Sequence, residues 1–293
     1  MTIMVTADLV KQLRERTGAG MMECKKALVA THGDADAAAE QLRVQGLAKA
    51  DKKSSRVAAE GILVIERSGL KAAMVEVNCE TDFVAKQDDF QGFARTVAAR
   101  ALASGVVDVA PLLAQRDAGG QPLEEVRKSL VAKIGENISV RRIAALTAPT
   151  ALGSYLHGTR IGCLVALKGG TEELARDIAM HASAMNPEYV SAAEVPAEIL
   201  EKERAIFAEQ VKGEHKPAEI LARMIEGKLR KRLAEVTLLG QPFVKDDKLT
   251  VEKLLKSAGA EVTGLVRYEV GRGIEKKTGD FVAEVMATVK GAH

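Results

Sequence analysis

The sequence predicts an α+β protein assembled from modules: a three-helix N-terminal module, a core of two related β-hairpin–helix units, an inserted antiparallel helical hairpin of coiled-coil type, and a short helical C-terminal module. Three observations predict it. Apolar residues recur at helical spacing up to about residue 45. From Gly61 the period changes to two, and a hairpin-then-helix layout appears twice. Between about Glu198 and Val236 two amphipathic helical segments flank Gly213-Glu214-His215-Lys216-Pro217, where Gly ends one helix and Pro opens the next.

Thr6 is placed to cap a first helix with Leu9, Val10 and Leu13 on one face, stopped by Thr17-Gly18-Ala19-Gly20. A second helix carries Met21, Cys24 and Leu28 at helical spacing. After His32-Gly33-Asp34, an Ala-rich third helix runs to about Val44. The polar stretch Lys49 to Arg56 reads as a linker. Ile62, Val64, Met74, Val75 and Val77, around Ser68-Gly69, suggest the first β-hairpin. A helix over about Asp89 to Ala103 follows, with Phe90, Phe93, Val97 and Ala101 on one face. Leu123 to Ile134 is a further helix and Ile138 to Leu146 a strand.

Gly153 to Leu167 reads as a second hairpin and Thr171 to Met185 as its helix. In the helical hairpin, Ile199, Ile206 and Phe207 face Ile220, Met224, Ile225 and Leu229. A helix near Val251 to Ser257, a strand Val262 to Val270 and a last helix over Asp280 to Val289 complete the chain. The module boundaries expected are 1–55, 56–146, 147–273 with the helical hairpin at about 190–238, and 274–293.

The two hairpin–helix units differ in one informative place. Val77 and Leu167 correspond at an offset of 90, Phe93 and Leu174 at an offset of 81, so the first strand-to-helix connection is nine residues longer. The excess falls in Asn78-Cys79-Glu80-Thr81-Asp82-Phe83-Val84-Ala85-Lys86, and loops that outgrow their connection are candidates for function. Two arrangements are open: Phe83 folds back on its own core with Asp82 capping the next turn, or Phe83 is an apolar probe with an acidic neighbour, offered to a partner.

Composition excludes several classes. Hydrophobic residues are 47% and charged residues 28%, ordinary for a globular protein, and the formal charge of +2 argues against a wholly basic nucleic-acid-binding domain. No apolar run reaches the roughly 18 residues of a membrane helix. Met1 to Ala7 lacks a signal-peptide pattern, and Cys24, Cys79 and Cys163 look like buried thiols of a reducing compartment. A cytoplasmic location is expected. No GxxxxGK[ST] or GxGxxG loop is present, the five histidines show no metal spacing, and there is no nucleophile elbow, so neither a bond-making enzyme nor a bound cofactor or metal is expected. Lys228, Arg230, Lys231 and Arg232 form a basic cluster that reads as a solvated helix face or, alternatively, an RNA contact with steep salt dependence. His157, in Tyr155-Leu156-His157-Gly158, suits a hydrogen-bonded structural role or an interface.

Longer stretches then carry a resemblance. Leu9-Val10-Lys11 through Arg16-Thr17-Gly18-Ala19-Gly20-Met21-Met22, Cys24-Lys25-Lys26-Ala27-Leu28 and Glu76 to Lys86 are similar to signature segments of the bacterial elongation factor Ts family. So are Ala132-Lys133-Ile134-Gly135-Glu136-Asn137-Ile138, Gly153-Ser154-Tyr155 with His157-Gly158, Thr237 to Val244, Glu261-Val262-Thr263-Gly264 and Val270 to Lys276. They span the chain in the family's order; Asp117 to Pro122 has no counterpart. The resemblance implies an N-terminal module similar to ubiquitin-associated domains and a guanine-nucleotide exchange factor acting on elongation factor Tu. It further implies that Thr81, Asp82, Phe83 and Val84 dislodge the partner's Mg²⁺, with Phe83 wedging between helices of its GTPase domain. Arg14, Gly18, Met21, Met22 and His157 are implied as partner contacts, the second core unit meeting the partner's last β-barrel domain. No membrane association or stable nucleic-acid binding is expected. The helical hairpin is a route to self-association or a projecting arm.

Overall fold

The N-terminal helices form because their ends are written locally. Thr6 Oγ1 accepts the Leu9 N–H to cap α1 (Ala7–Thr17), and Gly18, at φ +67°, ends it. Gly20 precedes α2 (Met21–Ala30), and Asp34 caps α3 (Ala35–Lys53) by accepting from Asp36 and Ala37. Val10, Leu13, Cys24, Ala27, Leu28, Ala38 and Leu42 bury against one another. Met21 departs from its expected stripe and is 56% exposed; as the first residue of α2 it lies one turn ahead of Cys24, where the core begins.

The structure, a computed structural model, describes residues 5–275, with Leu47 and Lys49 by backbone alone. The helix expected over Asp280–Val289, and the C-terminal module beyond Glu275, lie outside the described residues. Those residues are mixed α and β, with small sheets. They fall into two units, one built from 5–64, 75–143 and 269–275, the other from 65–74 and 144–268.

The stretch Lys49 to Arg56 is not a linker: α3 continues to Lys53. The polar residues that suggested a linker make contacts along α7 (Leu123–Ile134), on which α3 packs. Asp51 pairs with Lys128 at 2.7 Å, Lys53 Nζ donates to the Gly135 carbonyl, and Ala50 is buried. Packing thus keeps helical a segment whose composition alone reads as loop.

The first sheet has the order β1–β2–β3, with β1 (Glu60–Ser68), β2 (Lys71–Cys79) and β3 (Ser139–Thr147). Gly69-Leu70 joins β1 to β2, a connection short enough for antiparallel neighbours alone. In β2 every residue from Ala72 to Cys79 is buried, so the expected alternation gives way to a strand covered on both faces. Glu76 lies within that run. Arg141 and Arg142 meet its carboxylate at 3.0 and 2.5 Å, and the Gly271 N–H donates to it at 2.8 Å. Burial opposes its charge, but these three donors outweigh burial and hold the carboxyl below its ordinary range. Between β2 and β3 come α4 (Asp82–Ala85), α5 (Asp88–Ser104), α6 (Val109–Leu113) and α7. The Asp117–Pro122 segment is a turn closed by Asp117, which accepts the Gln121 N–H.

In the other unit, β4 (Ala151–His157) and β5 (Ile161–Lys168) pair antiparallel from Ala151↔Leu167 to His157↔Ile161, and β8 (Glu261–Glu269) lies beyond β5. Thr171 caps α8 (Glu172–Met185), which packs on both β4 and β5. The approach is close: a Cβ on Gly153 would lie 2.1 Å from the Ala175 carbonyl. Cys163, Val165, Leu167, Ala175, Ile178, Ala182, Leu238, Phe243, Val251 and Leu255 form this unit's core.

The helical hairpin is α9 (Ala197–Val211) and α10 (Ala218–Val236), packed together. Its seam differs from the expected one. Ile199, Ile206 and Ile220 are exposed, while Leu200, Glu203, Phe207 and Val211 of α9 lie at least half-buried, beside Met224, Ile225 and Leu229 of α10. The inward stripe is therefore one residue round from Ile199 and Ile206. Two short strands the sequence did not announce, β6 (Pro242–Phe243) and β7 (Asp246–Thr250), precede α11 (Val251–Ser257).

Candidate functional site

The first strand-to-helix connection, 80–87, is longer than its counterpart, 169–171. The excess is five residues, eight against three, rather than nine, because α5 begins further ahead of Phe93 than α8 does of Leu174 and β2 runs further past Val77 than β5 does past Leu167. The extra length holds α4, a single turn. Thr81 Oγ1 accepts the Val84 N–H at 3.4 Å, and Val84 and Ala85 are buried beneath the turn.

Phe83 does not fold back on its own core. It is 77% exposed. The cap role expected for Asp82 falls to Thr81, and Asp82 instead accepts from Lys86 Nζ at 2.7 Å. That bond holds the Asp82 carboxyl below the usual carboxylate range. The same ammonium lies 5.9 Å from the Phe83 ring centroid. Lys86 thus touches both residues of the Asp82-Phe83 pair.

Behind the turn, every polar backbone and side-chain atom of Thr81 has a partner. Its N–H donates to Glu136 Oε2 at 3.0 Å, its hydroxyl to Glu136 Oε1 at 2.6 Å, and its carbonyl accepts from the Cys79 thiol at 3.1 Å. Burial, with the Glu136 and Glu60 carboxylates, pushes that thiol up to about 12, so it stays protonated and able to donate. Glu136 also accepts the Glu80 N–H at 3.0 Å. Sequence reasoning singled out the segment 132–138 as a motif but gave Glu136 no role. A period search has no signal for a carboxylate that folds onto a turn 55 residues away.

Arg14, Gly18, Met21 and Met22 gather at the α1–α2 corner. Arg14 is exposed and its carbonyl accepts the Gly18 N–H; Met21 and Met22 are 56% and 64% exposed. His157 belongs to the other unit, at the exposed β4–β5 turn, with Nδ1 3.5 Å from the Tyr155 hydroxyl. In the basic cluster, Lys228 donates to Gln210 at 2.9 Å and Arg232 lies 3.5 Å from Glu203, both across the helical hairpin.

A cleft of about 440 Å³ opens between α1–α3 and α7. Its cations Arg16, Arg43 and Lys133 are taken by Asp36, Glu40 and Asp89. Among the described residues no helix is long and apolar enough to cross a membrane, and no group of three or more His, Cys, Asp or Glu side chains is placed to hold a metal.

The Elongation factor TS family model matches residues 80–272, from the start of the Phe83 turn onward. Over 292 residues the chain is 56% identical to Elongation factor Ts of Thioalkalivibrio sulfidiphilus, covering 98% of this chain and 99% of that one. It is 56% identical over 289 residues to Elongation factor Ts of Methylococcus capsulatus and 54% identical over 287 to that of Francisella tularensis subsp. novicida, with the same coverage. Such likeness over nearly the full length, with the exposed turn inside the matched region, assigns the chain: it belongs to the elongation factor Ts family.

Proposed function

We propose that this protein is the guanine-nucleotide exchange factor of elongation factor Tu in translation elongation, and that the Thr81–Val84 turn delivers the exchange. The observation that carries this reading is an aromatic side chain held 77% exposed on a turn whose Thr81 is held from behind by Glu136. An exposed Phe on a fixed support is what an interface anchor requires.

A GTPase holds GDP through a phosphate-cradling loop and a Mg²⁺ ion. Phe83 enters between helices of the partner's GTPase domain and Asp82 supports it. The helices that hold the Mg²⁺ shift, and the phosphate loop loses its fit to GDP. Displacing those elements is sufficient, so Asp82 need not bind the metal. The chain makes and breaks no bond itself.

The finer architecture belongs to the same reading. The modules are 1–55, similar to ubiquitin-associated domains, the duplicated core units 56–146 and 147–273 with the helical hairpin at about 190–238, and 274–293. Arg14, Gly18, Met21 and Met22 meet the GTPase domain with the turn, His157 meets the last β-barrel domain, and the setting is the cytoplasm. If α9 and α10 also self-associate, Ile199, Ile206 and Ile220 are the exposed apolar residues through which they do so.

The test is release of a fluorescent GDP analogue from purified elongation factor Tu, with this protein at catalytic amounts. Strong acceleration is expected. None, with both proteins folded and the partner active, would overturn the reading.

A further inference from the structure

We infer that Glu136 is the positioning residue of the exchange turn: its carboxylate, reached from the turn after α7, fixes the backbone at Glu80 and Thr81 and thereby sets the direction in which Phe83 projects. The inference rests on the proposed function for its consequence in exchange, and on geometry alone for the clamp.

A carboxylate accepts hydrogen bonds and donates none, and here three donors converge on one. Oε2 takes the successive N–H groups of Glu80 and Thr81, both at 3.0 Å, and Oε1 takes the Thr81 hydroxyl at 2.6 Å. That hydroxyl, oriented by giving its proton to Glu136, has its lone pairs free for the Val84 N–H. The cap of α4 therefore depends on Glu136 through Thr81.

The contact is reciprocated. Glu80 Oε1 accepts the Asn137 N–H at 2.6 Å, so the two turns exchange carboxylates across one another. The Asn137 side-chain amide donates to the Arg56 carbonyl at 2.7 Å, and Lys53 donates to the Gly135 carbonyl, so the end of α3 holds the other side of this turn. Gly135 makes the geometry accessible. It ends α7 at φ +92°, a conformation that side chains oppose, and turns the chain so that the next residue faces the loop. The Phe83 turn has Val84 and Ala85 buried on one side and Glu136 at its N-terminal root, which leaves the ring outward.

Removing the carboxylate leaves two backbone N–H groups and a hydroxyl without their acceptor. A hydrogen bond to a charged group is worth enough to change a rate about ten- to a hundredfold when its loss is felt in the transition state. The experiment compares wild type, Glu136→Ala, Glu136→Gln and Thr81→Val, each alone and with Phe83→Ala. It reads amide hydrogen exchange at Glu80 and Thr81 in the free protein, and kcat and KM for GDP release from elongation factor Tu.

Glu136→Ala is expected to lose amide protection at 80–81 and to lower kcat by about tenfold or more. Glu136→Gln, whose amide oxygen still accepts the two N–H groups, is expected to recover much of both. In the Phe83→Ala background Glu136→Ala should have little further effect, because its action runs through the ring. An equal loss in both backgrounds, or full exchange activity despite lost protection, would overturn the inference. Should Glu136→Ala fail to fold, Thr81→Val, which removes the hydroxyl that bonds Glu136 and caps α4, decides by the same cycle. If wild type does not accelerate release, the proposed function fails, and retained amide protection in Glu136→Ala would then overturn the clamp separately.

Discussion

Phe83 keeps an aromatic ring in water beside an ammonium group, 5.9 Å from its centroid, although burying a Phe is worth roughly 1.5–3 kcal/mol. That energy is unspent in the free protein and is available on association. Phe83→Ala is therefore expected to slow GDP release by about ten- to hundredfold, while the complex with nucleotide-free elongation factor Tu still forms. Stopped-flow release and titration calorimetry separate the two, and unchanged release would remove the wedge.

A second residue-scale expectation concerns His181, fully buried in the other unit. Its Nδ1 accepts the Val244 N–H at 3.1 Å, so Nε2 carries the proton and donates to Gln241 at 3.0 Å; Gln241 in turn donates to the Glu235 carbonyl at 2.7 Å. Burial lowers the His181 pKa, against a smaller opposing effect of Gln241. A folded state that resists this proton loses stability as pH falls below about 6.5, where the unfolded chain takes it up, and down toward the lowered folded value. His181→Gln should be less stable at pH 7 yet lose less between pH 7 and 5, read as urea midpoints. An unchanged pH difference would clear His181 of the effect. The exposed Phe83 was legible only as one of two arrangements, and the environment of His181 was not legible at all. A one-turn helix has no period, and the partners of Thr81 and His181 are brought together by the tertiary fold.

At the scale of elements, what is written locally was legible and what depends on a neighbour was not. Helix ends signalled by caps and terminators were found where expected, α1 between Thr6 and Gly18 and α3 after Asp34, and α7, α8 and α11 keep close to their expected bounds. The overrun of α3 through Lys49–Lys53 was hidden because polar residues there serve α7 rather than solvent. On α9 two adjacent stripes have similar apolarity, Ile199 with Ile206 and Leu200 with Phe207 and Val211. Only the packing of α10 decides which turns inward. The contact of β4 with α8 is likewise invisible in a glycine read as a strand opening. Gly153→Ala places a methyl group 2.1 Å from backbone that cannot rotate away, so about 3 kcal/mol of destabilisation is expected, at the upper end for overpacking. Thermal or urea unfolding of the variant checks it. A wild-type midpoint would mean that α8 shifts freely on β4.

For the whole molecule, exchange is a coupling between two ligands of one partner. If this chain weakens the hold of elongation factor Tu on GDP by a given factor, GDP must weaken the hold on this chain by the same factor. A thousandfold effect needs about 4 kcal/mol, more than the roughly 1.5–3 kcal/mol that one buried Phe supplies. The remainder must come from surfaces away from the turn, among which the exposed Met21 and Met22 and the β4–β5 corner at His157 are candidates. The expected outcome is a closed cycle. Affinity of this chain for its partner, measured with and without GDP, should change by the factor by which GDP affinity changes with and without this chain. In Phe83→Ala both factors should shrink together and stay above one. A factor of one would give the whole coupling to the ring and none to the rest of the molecule. Factors that disagree would mean that another equilibrium enters the cycle. Self-association through α9 and α10 would reveal itself there as a mismatch that grows with protein concentration.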